Sequence, residues 1–401
     1  MAVAKAAPMP LAAGDNVLSF NQASALLNQI VNQATGQSQA APLTMDGFVS
    51  VAQTGLACGY DPMLNAISQV LSKTIFSIRP YNRKFAGLQA DSIRYGNHVR
   101  KINYIDTPWE NDDRFSACGT HVDQLEKMCP PVLQTNFYGG NTYQRGVTIL
   151  KDQLDTAFTG PEEFGRFISG LMTNVNNQIE QVHEEEARAS LANYIAGKIT
   201  VGDSNVIHLI AEYNTHSGKA LTAATVYAPE NFPDFARFVY ARIKNICKML
   251  TERSLIFHQN VDGKPIMRHT PYNYQKVYLY DLFFQFVDTQ VKTQELDNRF
   301  MDLVDHESVT YWQSILSPQT INTTPVYMGT NGEKVVATTP VNQDNVIGVI
   351  FDQETIGYTV INQWSAPTPF DARGGYSNIW WHFTDRNWVD YTENGVVLVL
   401  D

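Results

Sequence analysis

The chain has 401 residues, of which 44% are hydrophobic and 11% aromatic, so it holds ample material for buried cores and general disorder is excluded. Its formal net charge is −11 and no basic run is present, which argues against a protein that grips a nucleic-acid backbone. Charged residues make up only 17% of the chain, and the polar residues are mainly Asn, Gln, Thr and Ser. Uncharged polar surface of this kind suits interfaces.

The cysteines and the hydropathy pattern indicate a reducing compartment. Cys58, Cys118, Cys129 and Cys247 have no CxxC spacing and are too sparse for a disulfide scaffold. No segment approaches the roughly 18 apolar residues of a membrane span. Residues 1–13 lack the charged and apolar regions of a signal peptide. We therefore expect a protein without membrane contact that stays in the cytoplasm where it is made.

The N-terminal 60 residues have the composition of an arm, since Ala, Gln, Asn and Ser dominate. A short helical stretch is predicted at 22–33, bounded by Gly36 and by the Ala-Ala-Pro segment at 40–42. A second helix is predicted at 61–76, because Asp61-Pro62 supplies start signals and an apolar stripe follows.

Between about residues 84 and 147 the pattern changes to extended chain. Partial alternation at 92–102 predicts a half-exposed strand, and 132–147 is again typical of a strand. The polar stretch 107–127 separates them, so the segment as a whole predicts a long projecting hairpin. Such a hairpin is marginal alone in water, which favours packing against another subunit. We expect intersubunit contacts from Arg94, Arg100, Trp109, Asp112, Asp113 and Arg114.

The stretch 150–199 predicts one long amphipathic helix, opened by Pro161-Glu162-Glu163. Apolar residues from Phe164 to Ile195 recur mostly at three- and four-residue steps, over roughly 35 residues or about 50 Å. Gly197 and Gly202 are expected to break it. A helix this long is typical of an assembling protein more than of an enzyme.

The C-terminal half predicts a mixed domain. Helices are expected at 232–251 and 281–292, with a strand at 276–280 between them. Short strands are expected through 324–361, with a turn at Thr330-Asn331-Gly332, and Asn394-Gly395 between two apolar runs predicts a terminal hairpin.

The sequence contains no motif that supports catalysis. In His183-Glu184-Glu185-Glu186 the second zinc ligand would fall at Ala187, so this segment is interpreted as an exposed acidic face of the long helix. No G-x-S-x-G elbow, Walker loop or dinucleotide fingerprint is present. We expect no enzyme activity, no cofactor and no metal.

The segment 376–391 is dense in aromatic residues, among them Trp380, Trp381 and Trp388. The favoured interpretation is a strand that packs against the long helix or a neighbouring subunit, because aromatic side chains dominate core and interface energies. A stacking platform for carbohydrate or bases is the alternative.

The order of these elements resembles the major capsid protein of tailed phages, which has the Hong Kong 97 fold. The residues that carry the resemblance run from Asn136-Phe137-Tyr138-Gly139-Gly140 through 147–158 into 163–168. They resume at 369–388, around Arg373-Gly374-Gly375-Tyr376-Ser377. The similarity is greatest to capsid proteins of short-tailed phages.

The resemblance implies an α+β fold with six parts. These are an N-terminal arm at 1–60, a linking helix at 61–83, an extended loop at 84–148, a peripheral domain with the spine helix at 149–230, an axial domain at 231–370, and C-terminal strands at 371–401 that return to the peripheral domain.

By the same resemblance, the chain would assemble through hexamers and pentamers into an icosahedral shell that encloses double-stranded DNA without sequence-specific binding. A portal and scaffolding or decoration proteins would be its partners, and the host bacterial cytoplasm its place of assembly before it resides in the virion. The extended loop would lie over the spine of a neighbour, and the arm would lace under another. An encapsulin-like compartment for protein cargo, and a tail or receptor-binding protein, stay open as alternatives.

Overall fold

The computed structural model describes residues 20–36, 44–73, 83–90, 98–107, 131–294 and 305–401, together with Trp109, Lys127 and Cys129. Within these residues, no helix is both long enough and apolar enough to cross a membrane. The helices are α1 Phe20–Thr35, α2 Met45–Ala57, α3 Tyr60–Lys73, α4 Lys151–Ala157, α5 Pro161–Val201, α6 Leu209–Ser217, α7 Phe232–Thr251 and α8 Asp281–Gln294. The strands are β1 His98–Tyr104, β2 Val132–Tyr138, β3 Asn141–Leu150, β4 Val206–His208, β5 Gln275–Tyr280, β6 Glu307–Val309, β7 Ile321–Thr323, β8 Val326–Met328, β9 Lys334–Val336, β10 Val341–Gln343, β11 Val346–Asp352, β12 Ile356–Pro367, β13 Tyr376–Val389 and β14 Gly395–Val399.

The long helix is confirmed as α5, with 41 residues and a length of about 60 Å. It begins at Pro161, and the carboxylates of Glu162 and Glu163 lie in its first turn. There their negative charge interacts favourably with the positive end of the helix dipole. It ends at Val201, and its C-cap is Gly202, whose φ of 85° is accessible to glycine at little cost. Gly197 does not break the helix, contrary to prediction. It lies inside α5, where a Cβ would overlap the ring of Tyr391.

Helix α5 joins two hydrophobic cores. Its N-terminal half contributes Phe164, Ile168 and Val175 to a core shared with α1, α2 and α3. Its C-terminal half contributes Leu191 and Ile195 to a larger core with α7 and a five-stranded sheet. The apolar stripe predicted along the helix is therefore buried within one subunit.

Two stretches of the predicted arm form helices that pack on their own subunit. Helices α1 and α2 bury apolar side chains, including Leu27 and Phe48, against α5, and the backbone amide of Gly47 donates to Thr44 Oγ1, the N-cap of α2. Residues 20–36 and 44–57 therefore contribute to the core of their own subunit. The helix predicted at 61–76 is confirmed as α3 over its described residues. Residues 1–19 and 37–43 lie outside those residues.

The larger core is built on the sheet of strand order β4-β14-β11-β5-β6. The outer pairs β4–β14 and β5–β6 are parallel, whereas β11 is antiparallel to both of its neighbours. Every residue of β11 and β14 is buried, as expected for strands covered on both faces. The predictions of α7, β5 and α8 are confirmed, as is the turn at Thr330-Asn331-Gly332 between β8 and β9.

The C-terminal hairpin prediction is wrong, because β13 and β14 lie in different sheets. Gly395 packs so closely that a Cβ would overlap Tyr194, and its amide donates to the carbonyl of Phe257 at 2.8 Å. Long-range contacts thus replace the local turn that Asn-Gly favours. The same sheet draws its strands from three of the predicted parts, 149–230, 231–370 and 371–401. Strand β14, from the predicted C-terminal part, pairs with β11 of the predicted axial domain. Strand β4, from the predicted peripheral domain, pairs with β14.

The other main sheet has the order β12-β13-β3. One face of β13 buries Ile379 and Trp381 against the N-terminal half of α5, and Trp380 on the opposite face is partly exposed. This arrangement supports the interpretation of the aromatic segment as a packed strand. Strand β13, from the predicted part 371–401, pairs antiparallel with β3.

Candidate intersubunit surface

The described part of the predicted hairpin is built from β1 and β2. They pair antiparallel over seven residues, from His98 opposite Tyr138 to Tyr104 opposite Val132. Among the described residues these strands form a sheet of two, so each of them has one free edge. The structure therefore confirms the base of the predicted hairpin. The polar tip at 110–126 lies outside the described residues.

The two faces of this hairpin differ in composition and burial. Residues that oppose each other across an antiparallel pair share a face, and successive residues alternate between faces. The outward face carries Arg100 and four large apolar or aromatic side chains that are between 48% and 68% exposed, namely Ile102, Tyr104, Val132 and Tyr138. A half-exposed row of this kind on a two-stranded ribbon is typical of a surface that another protein covers.

The inward face is held to the subunit by Lys101. Its Nζ lies 3.1 Å from Glu354, 3.0 Å from Asp390 and 2.5 Å from Glu393. Arg268 lies 2.9 Å from Glu393 and adds a second cation. We call these five residues the hairpin clamp. It joins β1 to the β11–β12 turn, to the segment between β13 and β14, and to the loop that precedes β5.

The electrostatics of the clamp keep its lysine charged. Burial alone would lower the pKa of Lys101, but the carboxylates of Asp390, Glu393 and Glu354 outweigh it and raise the pKa above the ordinary lysine value. Burial raises the pKa of Glu393, and the charges of Lys101 and Arg268 oppose that shift. The ammonium group therefore stays charged at neutral pH, and the clamp behaves as a partly buried ion network.

A second anchor lies just beyond β1. Asp106 forms an ion pair with Arg253, and its Oδ2 accepts a hydrogen bond of 2.8 Å from the backbone amide of Met267. Together with the clamp, this contact holds the hairpin base at two separate points, so the outward face has a defined orientation.

The spine helix contains a buried polar cluster where an exposed acidic face was predicted. His183, Glu184 and Glu186 are all buried, and only Glu185 of the four residues is exposed. The prediction is wrong because β3, β13 and residues 83–90 cover this part of α5. Each buried group has found a polar partner there, as buried charges require.

The partners of this cluster come from segments that are distant along the chain. Arg83 can only donate, so His183 Nδ1 accepts its hydrogen bond at 2.6 Å, and the ring proton on Nε2 faces Asp385 at 2.8 Å. Glu184 pairs with Arg188 at 2.7 Å and accepts a hydrogen bond of 3.0 Å from the backbone amide of Lys84.

Glu186 completes the same cluster from the next turn of the helix. It accepts hydrogen bonds from Tyr143 Oη at 2.5 Å and from Asn141 Nδ2 at 3.0 Å. These contacts tie β3, which continues the hairpin into the main body, to the middle of α5. In the described part of the chain, no group of three or more His, Cys, Asp or Glu side chains could hold a metal ion.

The sequence matches the family model of the Phi29-like phage major capsid protein over residues 27–399. The chain belongs to this family. As a major capsid protein, it forms the icosahedral shell of a phage head and is a component of the virion. This membership replaces the two alternatives, the compartment for protein cargo and the tail or receptor-binding protein.

Solved structures confirm the Hong Kong 97-type α+β fold of the capsid protein. A chain of the capsid structure of Staphylococcus phage Andhra is 12% identical with a TM-score of 0.56, and the match covers 82% of this chain and 87% of that chain. A chain of the structure of the head fiber and inner core protein gp22 of native bacteriophage P68 is 12% identical with a TM-score of 0.54, over the same shares of each chain. Among curated proteins, no sequence matches the capsid protein.

The structure places two of the predicted contact residues of the capsid protein. Arg100 lies on the outward face of the hairpin beside Ile102, and Trp109 is fully exposed beyond the end of β1. Arg94, Asp112, Asp113 and Arg114 lie outside the described residues. Their roles at subunit contacts stay predictions.

Sequence reasoning missed the apolar members of this surface of the capsid protein. Ile102, Tyr104 and Val132 carry its exposed apolar area. The signal was present as the two-residue alternation of β1, in which Lys101 and Asn103 take the other face. Sequence alone did not indicate which of the two faces the subunit would bury.

Proposed function

We propose that this capsid protein builds its shell by laying the outward face of the β1–β2 hairpin on a neighbouring copy. The observation that carries the proposal is the asymmetry of the hairpin, whose inward face is clamped by ions while its outward face exposes Ile102, Tyr104 and Val132. Burial of such side chains contributes about 1.5–3 kcal/mol each when complete. Repetition of that modest contact over every subunit would make the shell strong.

The role proposed for the capsid protein is mechanical and needs no catalytic step. The axial part would consist of the five-stranded sheet with α6, α7 and α8. It would surround the local five-fold axes of pentamers and the local six-fold axes of hexamers. The three-stranded sheet and the N-terminal half of α5 would form the peripheral part. Arg100, Trp109 and the residues near the hairpin tip would add polar and aromatic contacts at its rim.

Double-stranded DNA is the proposed content of the shell. The net charge of −11 supports a wall that encloses DNA without binding it, because like charges repel. A portal would occupy a vertex, scaffolding or decoration proteins would assist the copies, and assembly would take place in the cytoplasm of the host bacterium.

Nuclease treatment of purified particles tests whether the shell contains double-stranded DNA. We expect protected double-stranded DNA inside, and particles that protect only protein cargo would contradict it.

The hairpin contact is tested by the double variant Ile102→Ser, Tyr104→Ser. We expect folded subunits that no longer form shells, as seen by electron microscopy and by sedimentation of the purified protein. Gln134→Ser is the matched control, because Gln134 lies on the same face opposite Ile102 and is polar already. Normal shells from the double variant would overturn the proposal.

A further inference from the structure

A second exposed apolar site lies at the turn between Trp312 and Ile321. Ile315 is 73% exposed and Leu316 is 93% exposed, and they are adjacent at the tip of this turn. Isolated exposed aliphatic residues are common on protein surfaces. Two neighbouring ones on a rigid support are a different feature, because the support fixes where they point.

The turn is rigid at its base. The indole of Trp312 is buried and donates through Nε1 to the carbonyl of Val346 at 2.7 Å, while its backbone amide donates to Pro318 at 3.0 Å. Gln313 and Asn322 exchange two hydrogen bonds, of 2.8 and 3.0 Å, across the turn. An apolar tip held in this way loses little conformational entropy when a partner covers it.

The tip is also closed on itself by hydrogen bonds. The amide of Ser317 donates to the carbonyl of Ser314 at 3.2 Å, and the amide of Leu316 donates to Ser314 Oγ at 3.3 Å. These backbone groups are therefore satisfied within the turn. What it offers to a partner is the pair of aliphatic side chains.

The composition of the sequence around the turn indicates the kind of partner. No Asp, Glu, Lys or Arg occurs between Glu307 and Glu333, which is a long uncharged interval in a chain of net charge −11. At the base of the turn the carboxylate of Asp344 accepts a hydrogen bond of 2.8 Å from Thr320 Oγ1, but the tip itself carries no charge. Copies of an acidic subunit repel each other, so a contact between copies is favoured where the inserted side chains are uncharged. A basic partner would instead be matched by an acidic surface.

The chain also offers a concave apolar site that such a tip could enter. A cleft of about 640 Å³ lies between β2, α5, β8 and the end of β13, and its apolar lining includes Phe137, Tyr327, Met328 and Trp388. Its charged lining residues are Glu333, Lys334 and Asp390. Contacts that build rings join two different surfaces of the same chain, one projecting and one receiving. The turn and the cleft are such a pair.

We propose that Ile315 and Leu316 of one capsid protein insert into this cleft of a second copy. The inference rests on assembly from copies of the chain. The inserted turn is a different element from the hairpin, while the cleft shares Tyr138 with the outward face of the hairpin. The insertion gives the shell a second apolar contact, made by a preformed turn.

The first test places the photoreactive residue p-benzoylphenylalanine at position 316 in assembled particles. We expect covalent dimers after irradiation, with cross-linked peptides from 326–328 or 387–391 of the other copy, and none from dilute unassembled subunits. Intact particles whose cross-links map elsewhere, or that give no dimer, would overturn the proposal.

The second test is the double variant Ile315→Ser, Leu316→Ser, with Ser317→Ala as a control that alters the turn without changing its apolar tip. We expect folded subunits that need an about tenfold higher concentration to assemble, the size of effect that loss of one interface anchor produces. Unchanged assembly would contradict the inference. Comparison with the hairpin double variant distinguishes the two proposed contacts. If the hairpin variant assembles normally and the Ile315→Ser, Leu316→Ser variant does not, only the hairpin contact is rejected.

Discussion

A single lysine connects the hairpin to two other segments of the subunit through three carboxylates. Lys101 contacts Glu354, Asp390 and Glu393, and the Asp390 side chain is almost fully buried. Buried ion pairs contribute little net stability compared with apolar replacements, but removal of one partner is costly because the other charge stays behind. The clamp therefore fixes the orientation of the hairpin more than it stabilises the fold.

Replacement of this lysine in Lys101→Met should leave two buried carboxylates without their main cation. We expect the free energy of unfolding to fall by about 3 kcal/mol, measured by urea denaturation of unassembled subunits. Lys264→Met is the control, since Lys264 and Asp262 form an exposed pair that contributes less than about 1 kcal/mol. An equal decrease in the free energy of unfolding in the two variants would show that the clamp contributes no more than an exposed ion pair.

Lys198 gives the subunit a defined pH dependence. It is buried at the C-terminal end of α5, where its Nζ donates to Asn205 Oδ1 and to the carbonyl of Phe257, both at 3.1 Å. Burial lowers its pKa from 10.5 to about 7, against the attraction of Asp390 and Glu393. A neutral amine still has two N–H groups, enough for both acceptors.

Stability should rise with pH between about 7 and 10.5, because the unfolded chain then holds a proton on Lys198 that the folded chain lacks. The slope contributed by one proton is at most about 1.4 kcal/mol per pH unit. Urea denaturation across this range measures it. Lys198→Met should remove the slope, and an unchanged slope in that variant would assign it to other groups.

At the level of elements, α5 shows how one helix serves two cores. Its periodic stripe predicted the length and the start of the helix, whereas Gly197 was misjudged as a break. Glycine in a helix interior usually costs about 0.5–1 kcal/mol relative to alanine. The cost is accepted at position 197 because the ring of Tyr391 lies against the helix backbone there.

Two glycines of α5 therefore provide a matched pair of alanine variants. Gly170 has open space around it, so Gly170→Ala should stabilise the subunit by up to about 1 kcal/mol. Gly197→Ala should destabilise it by about 1–3 kcal/mol, because the new methyl group displaces Tyr391. Thermal unfolding of the two variants beside the parent protein measures both effects. Stabilisation by both would mean that Tyr391 gives way freely.

For the whole molecule, charge opposes assembly and apolar contact favours it. Each copy carries a net charge of −11, so bringing many copies together costs electrostatic free energy. Salt screens this repulsion, since the Debye length falls from about 30 Å at 0.01 M to about 8 Å at 0.15 M.

We expect that the subunit concentration required for shell formation falls as salt rises over this range. Light scattering of purified subunits at several concentrations measures that threshold, and urea denaturation at the same salts controls for changes in the stability of the subunit itself. A threshold that rises with salt would mean that ion pairs between copies dominate the contacts.

The hairpin surface shows how far local pattern extends into a candidate site. Alternation predicted the strand of β1 and the need for a neighbour, but Ile102 and Tyr104 could be placed on the open face only after Lys101 was seen in its clamp. The carboxylates that hold Lys101 lie some 250 to 290 residues further along the chain. An ion pair between residues so far apart in the chain cannot be predicted from the pattern of neighbouring residues.

The sequence by itself determined the elements whose signal is local. The stripe of α5, the helices α7 and α8, the strand β5 and the resemblance to capsid proteins all follow from residue order, since helix and strand periods are set by the backbone. Tertiary structure decided what covers each element. His183 and Glu186 became buried because strands from distant segments cross α5, and Asn394-Gly395 became a crossing between sheets because Phe257 and Tyr194 hold it there. Burial depends on which distant segments meet, and neither composition nor period encodes that.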